Sequence, residues 1–505
     1  MWVAPQKRDA RVIAHYTGIL VVGVGLAMIV PLITAVSLGE WDAALDYLFG
    51  TGIACAAGMA LALVSPPDQP LDRTNALIVT ALAWLAASVA AAVPLAVSGN
   101  YANYLDALFD AMSGLTTSGL TLVQDLDHMA YSHNMWRHFL HLIGGQGIVV
   151  AAVSIAIGLR GGAVSLYIAE GRDEKILPNV MHTSRFIWFV TAVYVTLGTI
   201  TLAGVNLFSG MEPARAGLHA FWATVACYDT GGFGPQSMNA LYYHSWAFEF
   251  VTVLLMIAGT LNFNLHADIW RGDRWEIFRN IEARAWAANV AILSAFAALG
   301  LGSTLLFSDT MSVLRKGVYH VLSANTGTGH QTLYTGQWVG DYGGLAMGAV
   351  ILAMAFGGMA SSTAGGIKSL RLGLIVKGVV LRVKESLAPS SAVVRAKFHH
   401  LTDRELTPTL LDSALLVFVL YMVTYISGAL IGAAYGYPIG EALFESISAT
   451  ANVGLSTGVT SPAMPAGLKI LYILQMWAGR LEFIALLTLL ASLVISVRRK
   501  RSQRS

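Results

Sequence analysis

Four ten-residue stretches of the chain repeat one pattern: AMSGLTTSGL at 111–120, TVACYDTGGF at 224–233, VLSANTGTGH at 321–330 and SISATANVGL at 446–455. Each carries a glycine at the same place, Gly119, Gly232, Gly329 or Gly454, and six residues earlier stand Ser113, Ala226, Ser323 and Ser448. The lead-in DALFDAMS of the first copy and EALFESIS of the fourth mark a duplication. Glycine reaches backbone conformations closed to other residues, and ringed carbonyl oxygens can replace an ion's hydration shell. The pattern predicts a cation pore built from one chain and lined by backbone. Its filter would be Thr117, Ser118 and Gly119; Thr230, Gly231 and Gly232; Gly327, Thr328 and Gly329; and Asn452, Val453 and Gly454. Four unlike copies give fewer equivalent rings than four identical ones, so fewer well-formed ion sites are expected.

Charged residues stand close to this pattern. Asp110 and Glu445 each lie nine residues before the glycine, where the other copies have Ala223 and His320. An acid there either raises the local cation concentration or hydrogen-bonds the filter backbone. Arg480 lies within a long apolar run, where an uncompensated charge costs about 2.5–3.5 kcal/mol on insertion scales. It either pairs with a buried carboxylate such as Glu482 or Glu249 or has a functional reason to be there. Between 357 and 366, Gly357, Gly358, Gly365 and Gly366 surround Ser361, Ser362 and Thr363. Such a stretch is a poor helix. It is expected to form a gate below the filter, with Lys368 and Arg371 anchoring its inner end.

These residues need a membrane scaffold. Of 505 residues, 55% are hydrophobic and 12% charged, against roughly 25% charged in soluble domains, and the mean hydropathy is +0.62. Nearly charge-free runs at 12–36, 43–64, 76–97, 139–159, 186–208, 246–263, 285–307, 410–434 and 468–497 approach or exceed the roughly 20 residues a bilayer requires. A tenth, 342–356, is short and runs into GGMASSTAGGIK, so it is predicted to be a span broken inside the membrane. The first run is too long for a signal peptide and should be a retained anchor. Cys55 and Cys227 read as small buried residues. With the N-terminus inside, inner segments hold 25 of the 31 Lys and Arg, which predicts both termini on the cytoplasmic side. A net charge of +2, with the basic residues lining one membrane face, argues against nucleic acid as a partner.

The expected organisation is an all-α membrane protein: two N-terminal transmembrane helices (1–73), repeat 1 (74–160), repeat 2 (185–270), repeat 3 (284–380, with the gating loop 357–366), a cytoplasmic linker (381–407), repeat 4 (408–497) and a basic tail (498–505). Each repeat is an outer helix, a short re-entrant pore helix with its glycine loop, and an inner helix. The predicted pore helices, 106–113, 217–226, 316–323 and 441–448, would point their C-terminal partial negative charge at the ion.

Several segments carry a family resemblance. WRHFLHLIGGQGIVV at 136–150 looks like the first inner helix of the TrkH and KtrB superfamily of bacterial potassium uptake proteins, MIAGTLNFNLH at 256–266 like the second, GGMASSTAGGIKSLR at 357–371 like the loop of the third, and MWAGRLEF at 476–483 like the fourth. The two leading helices and VKESLAPSSAVVRAKF resemble the TrkH branch. The resemblance implies a pseudo-fourfold array of membrane-pore-membrane units and a homodimer in the bacterial inner membrane. It also implies K⁺ as the transported ion at the filter carbonyls, Arg480 just inside the filter, and a cytosolic TrkA-like nucleotide-binding ring, with no cofactor in this chain itself. Two departures bear on selectivity: His330 stands where an aromatic or aliphatic residue is usual, and Asp229-Thr230-Gly231 replaces a common Asn-Asn-Ala. Passive or gated K⁺ flux is the leading reading, and a Na⁺- or H⁺-coupled K⁺ symporter with some Na⁺ permeability the alternative. A membrane enzyme would need clustered carboxylates or a nucleophile with a base. The nearest candidate, DLDHM at 125–129, has no second acidic cluster.

Overall fold

A computed structural model describes residues 7–64, 71–147, 180–304 and 309–502. Among the described residues the chain is all-α apart from one short hairpin, Lys397–His400 paired antiparallel with Thr402–Glu405. Two leading helices come first, Lys7–Ala27 continued by Ile29–Leu38, and Trp41–Ala62. Four outer helices follow at Arg73–Val97, Val180–Phe208, Ile281–Gly302 and Pro408–Ala434, each long and apolar enough to span.

Each outer helix is followed by a pore helix, and these are longer than the sequence suggested: Tyr104–Leu115, Pro213–Tyr228, a third running from Thr310 to Asn325 through a π turn at Leu314–Val318, and Ile439–Thr450. The starts of the first three are fixed by side-chain caps. The Asn103 side-chain Oδ1 accepts from the Asp106 N–H at 3.1 Å, and Asp309 Oδ1 accepts from the Ser312 N–H at 2.8 Å. Glu212 accepts from the N–H groups of Ala214 and Arg215, with Pro213 at the first helical position, where its missing N–H costs nothing.

The inner helices correct the sequence reading. The runs 246–263 and 468–497 have the length expected of spans, and the chain bends at the end of the first and within the second. Trp246–Thr260 and Phe263–Arg271 are bent 99° apart, and Ala466–Arg480 and the helix beginning at Ile484 are bent 112° apart. In the first unit the inner helix Tyr131–Gln146 stops at Gly147, whose φ is +90°. Part of the run 139–159, and the first inner loop up to residue 179, lie outside the described residues. The third inner helix, Gly344–Ala355, ends as expected before the glycine-rich loop. Buried ion pairs knit the first unit together and join it to the fourth: Arg137 Nε to Asp110 at 2.9 Å and Lys469 Nζ to Asp106 at 2.6 Å, all four side chains nearly inaccessible.

After the third unit a helix extends over Ser369–Leu387 and leads into the hairpin. Glu276 of the preceding inner loop holds that hairpin, accepting from the Leu401 N–H at 3.2 Å and meeting His399 Nε2 at 2.9 Å. Hydrogen bonds to Asp403, and then to Glu276, raise the His399 pKa above its ordinary value. A raised folded-state pKa gives stability that is fully present below the unfolded value near 6.5 and is lost as pH rises through the folded one. Amide hydrogen exchange across residues 397–405, corrected for intrinsic rate, should therefore be faster at pH 9 than at pH 6 in wild type. In His399→Gln it should show no such difference, and a persisting difference would place the dependence elsewhere.

Candidate ion pathway

The four glycine loops meet. A methyl group built on Gly119 would sit 2.6 Å from the Gly231 carbonyl oxygen, one on Gly232 2.1 Å from that of Thr328, one on Gly329 1.8 Å from that of Val453, and one on Gly454 2.4 Å from that of Ser118. Loop one touches two, two touches three, three touches four and four touches one. The ring is closed, and the four equivalent carbonyls lie at one level in it. No side chain fits at any of the four glycines.

Backbone conformation repeats as strictly. Thr117, Thr230, Gly327 and Asn452 have φ of +55°, +50°, +76° and +55°, and the glycines two residues later have +80°, +81°, +75° and +95°. The residue between them is never among the positive-φ positions. Alternating handedness turns successive carbonyls to one side, the arrangement an ion file needs. A β-branched residue at positive φ is a genuine outlier, costing of order 1–3 kcal/mol, and Thr117 and Thr230 both stand there. The surroundings must impose it. In every copy the N–H before the filter glycine donates to the carbonyl six residues ahead of that glycine: Ser118 to Ser113, Gly231 to Ala226, Thr328 to Ser323 and Val453 to Ser448, at 2.8–2.9 Å.

Asp110 and Glu445 prove to be braces. Asp110 accepts from Tyr101, from Arg137 and from the Leu122 N–H at 2.9 Å each. Glu445 accepts from the Thr457 N–H at 2.8 Å and from the hydroxyls of Ser456 and Thr460 at 2.6 Å. Both are fully buried. His320, at the same offset, accepts on Nε2 from the Thr332 N–H at 3.0 Å. In three copies the side chain nine residues before the glycine thus pins the N–H three residues after it. The second copy, with Ala223, is held differently: Asn239 donates to the Gly232 carbonyl at 3.0 Å.

Sequence reasoning missed the buried face of the first inner helix. His141 Nε2 accepts from the Phe233 N–H at 3.2 Å while its Nδ1 donates to the Gly114 carbonyl at 2.9 Å, and Arg137 lies 4.1 Å from the Phe233 ring centre. The clustering of Arg137, His138 and His141 in WRHFLH was the available signal. His330 is buried behind the filter loops. It is 2% exposed, with Nδ1 at 3.3 Å from the Cys227 sulfur. Asp229 is also buried, receiving the Gln146 amide at 2.7 Å.

On one side of the ring, Gly119, Gly232, Gly329 and Gly454 share a cavity of about 150 Å³ with Arg137 and Thr460. On the other, a cavity of about 40 Å³ is walled by Ser361, Ser362, Gly365, Lys368 and Arg480, room for a few waters at most. The loop that closes it is pinned. Gly357 N–H donates to Ile367, Met359 N–H to Thr260, Thr363 N–H to Gly259 and Ser369 N–H to Gly358, at 3.0–3.3 Å. The Thr363 hydroxyl reaches the carbonyls of Gly259 and Tyr228 at 2.9 and 3.2 Å. Gly365 lies against the Ala451 carbonyl, Gly357 and Gly366 lie against each other, and Gly358 abuts Thr260. Lys368 donates to the Ala364 carbonyl.

Arg480 sits among these groups, donating to the Thr117 hydroxyl at 3.2 Å and to the carbonyls of Thr363 at 2.9 Å, Gly145 at 3.3 Å and Gly144. The two carboxylates considered as its partners bind other arginines: Glu482 pairs with Arg371, and Glu249 with Arg315, whose Nε is at 2.8 Å. What the arrangement can do chemically is hold a dehydrated cation on backbone oxygens above a plug.

The comparisons agree with this geometry. A family described as TrkH, cation transport protein, matches residues 48–496. An uncharacterised cation transporter of Methanocaldococcus jannaschii is 30% identical over 96% of both chains. The Trk system potassium uptake protein TrkH of Escherichia coli K12 is 28% identical over 95% of this chain and 98% of its own. The crystal structure of the potassium transporter TrkH from Vibrio parahaemolyticus shares the fold at a TM-score of 0.80, with 23% identity over 96% of this chain and 99% of that one.

Two outcomes are expected. Gly232→Ala and Gly329→Ala should each lower cation uptake by more than about tenfold, which about 1.4 kcal/mol of displaced backbone suffices to cause, while Gly204→Ala, in open space, should not. Tracer uptake by folded protein in vesicles reads this. And because His330 is buried, external acidification from pH 7 to 5.5 should change uptake equally in wild type and His330→Phe.

Proposed function

The chain belongs to the TrkH family of cation transport proteins, and from that premise we propose that it is the potassium-translocating subunit of a Trk-type uptake system, with gated flux through a pore formed by its own four loops. The observation that carries this reading is the closed ring of glycine α-carbons against neighbouring carbonyls. A strained backbone ring has no use in packing alone, and strain of this kind is retained where function needs it. The filter is assigned to Thr117–Gly119, Thr230–Gly232, Gly327–Gly329 and Asn452–Gly454. The protein resides in the bacterial inner membrane with both termini in the cytoplasm, acts as a homodimer, and takes its nucleotide control from a TrkA-like ring on the basic inner loops.

The gate is the loop 357–366 together with Arg480. A cation leaving the filter meets a guanidinium and then a plug of main chain. Like charge opposes it at short range, where the surroundings screen little, and the loop opposes it sterically. Opening requires the Arg480 bonds to Thr363 and Gly144 to be exchanged for others, so the two barriers are joined as well as serial.

A sodium-permeable or ion-coupled symporter is the second reading, favoured by Asp229: its Oδ2 has no hydrogen-bond partner among the described residues, and no other copy has a carboxylate there. Growth rescue of a K⁺-uptake-deficient bacterium at low K⁺, with and without a matching regulatory subunit, tests the main reading, and rubidium and sodium fluxes in vesicles separate the two. For the gate, Arg480→Gln should raise rubidium flux several-fold with dependence on the regulatory ring largely kept, whereas deletion of 361–365 should raise flux and weaken that dependence. Folded variants no faster than wild type would make the loop and Arg480 packing elements.

A further inference from the structure

The residue that ends the second pore helix is unlike its counterparts. Three residues before the filter glycine the four copies have Thr116, Asp229, Thr326 and Ala451. In the first and third this side chain closes on its own loop, the Thr116 hydroxyl with that of Ser118 at 2.8 Å and the Thr326 hydroxyl with that of Thr328 at 2.9 Å. The second copy lacks that partner. Two residues on stands Gly231, where an added methyl would lie 2.3 Å from the His141 ring, so no side chain is there for Asp229 to meet.

Asp229 is fully buried, and the Gln146 amide, donating to Oδ1 at 2.7 Å, takes up only half of its carboxyl group. Oδ2 has no hydrogen-bond partner among the described residues. A buried acceptor that makes no bond is costly, and threonine or alanine avoids that cost in the other three copies. In the arrangement described, Oδ2 contributes nothing.

Arg480 lies close by. A methyl built on Gly145 would sit 2.8 Å from Asp229 Cβ and 3.0 Å from Oδ1, so the acid packs against the Gly145 α-carbon, and the carbonyl of that same residue accepts from Arg480 at 3.3 Å. Acid and guanidinium thus flank one residue, and the Arg480 charge is felt at the carboxyl group. The Arg480 bonds to the carbonyls of Gly144, Gly145 and Thr363 and to the Thr117 hydroxyl go to uncharged acceptors. Glu482 and Glu249 are held by Arg371 and Arg315. A guanidinium that leaves its carbonyls inside the membrane needs another acceptor, because an uncompensated charge there is costly.

We propose that Asp229 is the positioning residue that receives Arg480 when the gate opens, an assignment that rests on the gate proposed above. As the loop 357–366 moves, the guanidinium gives up the Thr363 and Gly144 carbonyls, turns past Gly145 and donates to Asp229 Oδ2, while the Gln146 amide keeps the other oxygen in place. The pair is neutral as a whole. The charge that opposes a cation leaving the filter is thereby cancelled at short range, where the surroundings screen little.

The test is a double-mutant cycle read as rubidium flux into vesicles holding the full chain, with a matching regulatory subunit present. Asp229→Asn keeps the shape and the Gln146 bond and removes the charge. Asp229→Thr copies the residue that the first and third loops accommodate, so the cycle is complete even if one of the two variants fails to fold. With Arg480 in place each should lower flux by at least about tenfold, and in Arg480→Gln, where no charge needs receiving, each should change it by less than about twofold. A residue that merely supports the loop, or that pulls directly on the ion, would lower flux by the same factor in both backgrounds, and that result would overturn the proposal. Asp229 variants as fast as wild type with Arg480 present would overturn it as well. Wild type that carries rubidium while the cycle shows no coupling sinks this assignment alone, whereas wild type that carries none sinks the uptake reading with it.

Discussion

A carbonyl oxygen pressed against a neighbouring α-carbon, repeated four times around a closed ring, is the contact on which the rest of the molecule depends. It removes every side chain from the centre and forces left-handed backbone at eight places, two of them threonines. Such a ring is unstable by itself. The pore helices, the buried acids and the inner helices are accounted for as the means of holding it. The carbonyl six residues ahead of each glycine fixes one end of each loop, and Asp110, His320 and Glu445 fix the other. An acid at this offset therefore acts on backbone geometry, and a neutral histidine does the same job because what is needed is an acceptor rather than a charge.

The same demand for close backbone approach recurs one layer out. Gly144, Gly259 and Gly479 lie where an added methyl would sit 1.7–1.9 Å from the last carbonyls of the pore helices, those of Leu115, Tyr228 and Thr450. Within two residues of each of these glycines the inner helix ends. The contact explains the breaks: a helix drawn against the end of another cannot continue through it, so the chain turns, by 99° in the second unit and 112° in the fourth. In the third unit Asn325 takes over, donating to the carbonyls of Ala353 and Phe356, and the chain continues as a loop under the filter instead of a second half-helix.

Much of this was legible in the residues. The glycines of the ring, the short helices before them, the long outer helices and the loop of the third unit all follow from spacing and apolar length. The breaks in the other inner helices did not emerge because a hydropathy run records composition and is blind to direction. Yet Gly144, Gly259, Gly357 and Gly479 stand 25 to 28 residues after their filter glycines, a second period that the first one hides. The roles of Arg137 and His141 were beyond reach for another reason: their partners, Asp110, Gly114 and Phe233, lie 27 to 92 residues away, and only the closed ring brings them together. The environment of His330 was not legible either, and it follows the other copies: the residue after the glycine faces the packing behind the loop, where Leu120, Phe233 and Leu455 are buried as well.

Pseudo-symmetry fails where the plug is. Arg480 comes from the fourth unit, Thr363 from the third, the Thr117 hydroxyl and Gly144 carbonyl from the first, and the Thr363 hydroxyl reaches Tyr228 and Gly259 of the second. All four units thus meet in one cluster of hydrogen bonds with little room for water around it. Buried polar groups that lose a partner without gaining another cost about 1–3 kcal/mol each, so this cluster cannot loosen one bond at a time. It exchanges its partners together or not at all. Arg371 extends the coupling, because its bond to Glu482 joins the far end of the loop to the break just beyond Arg480. The helix Ser369–Leu387, which continues from the loop toward the hairpin, is therefore joined to the whole cluster at once.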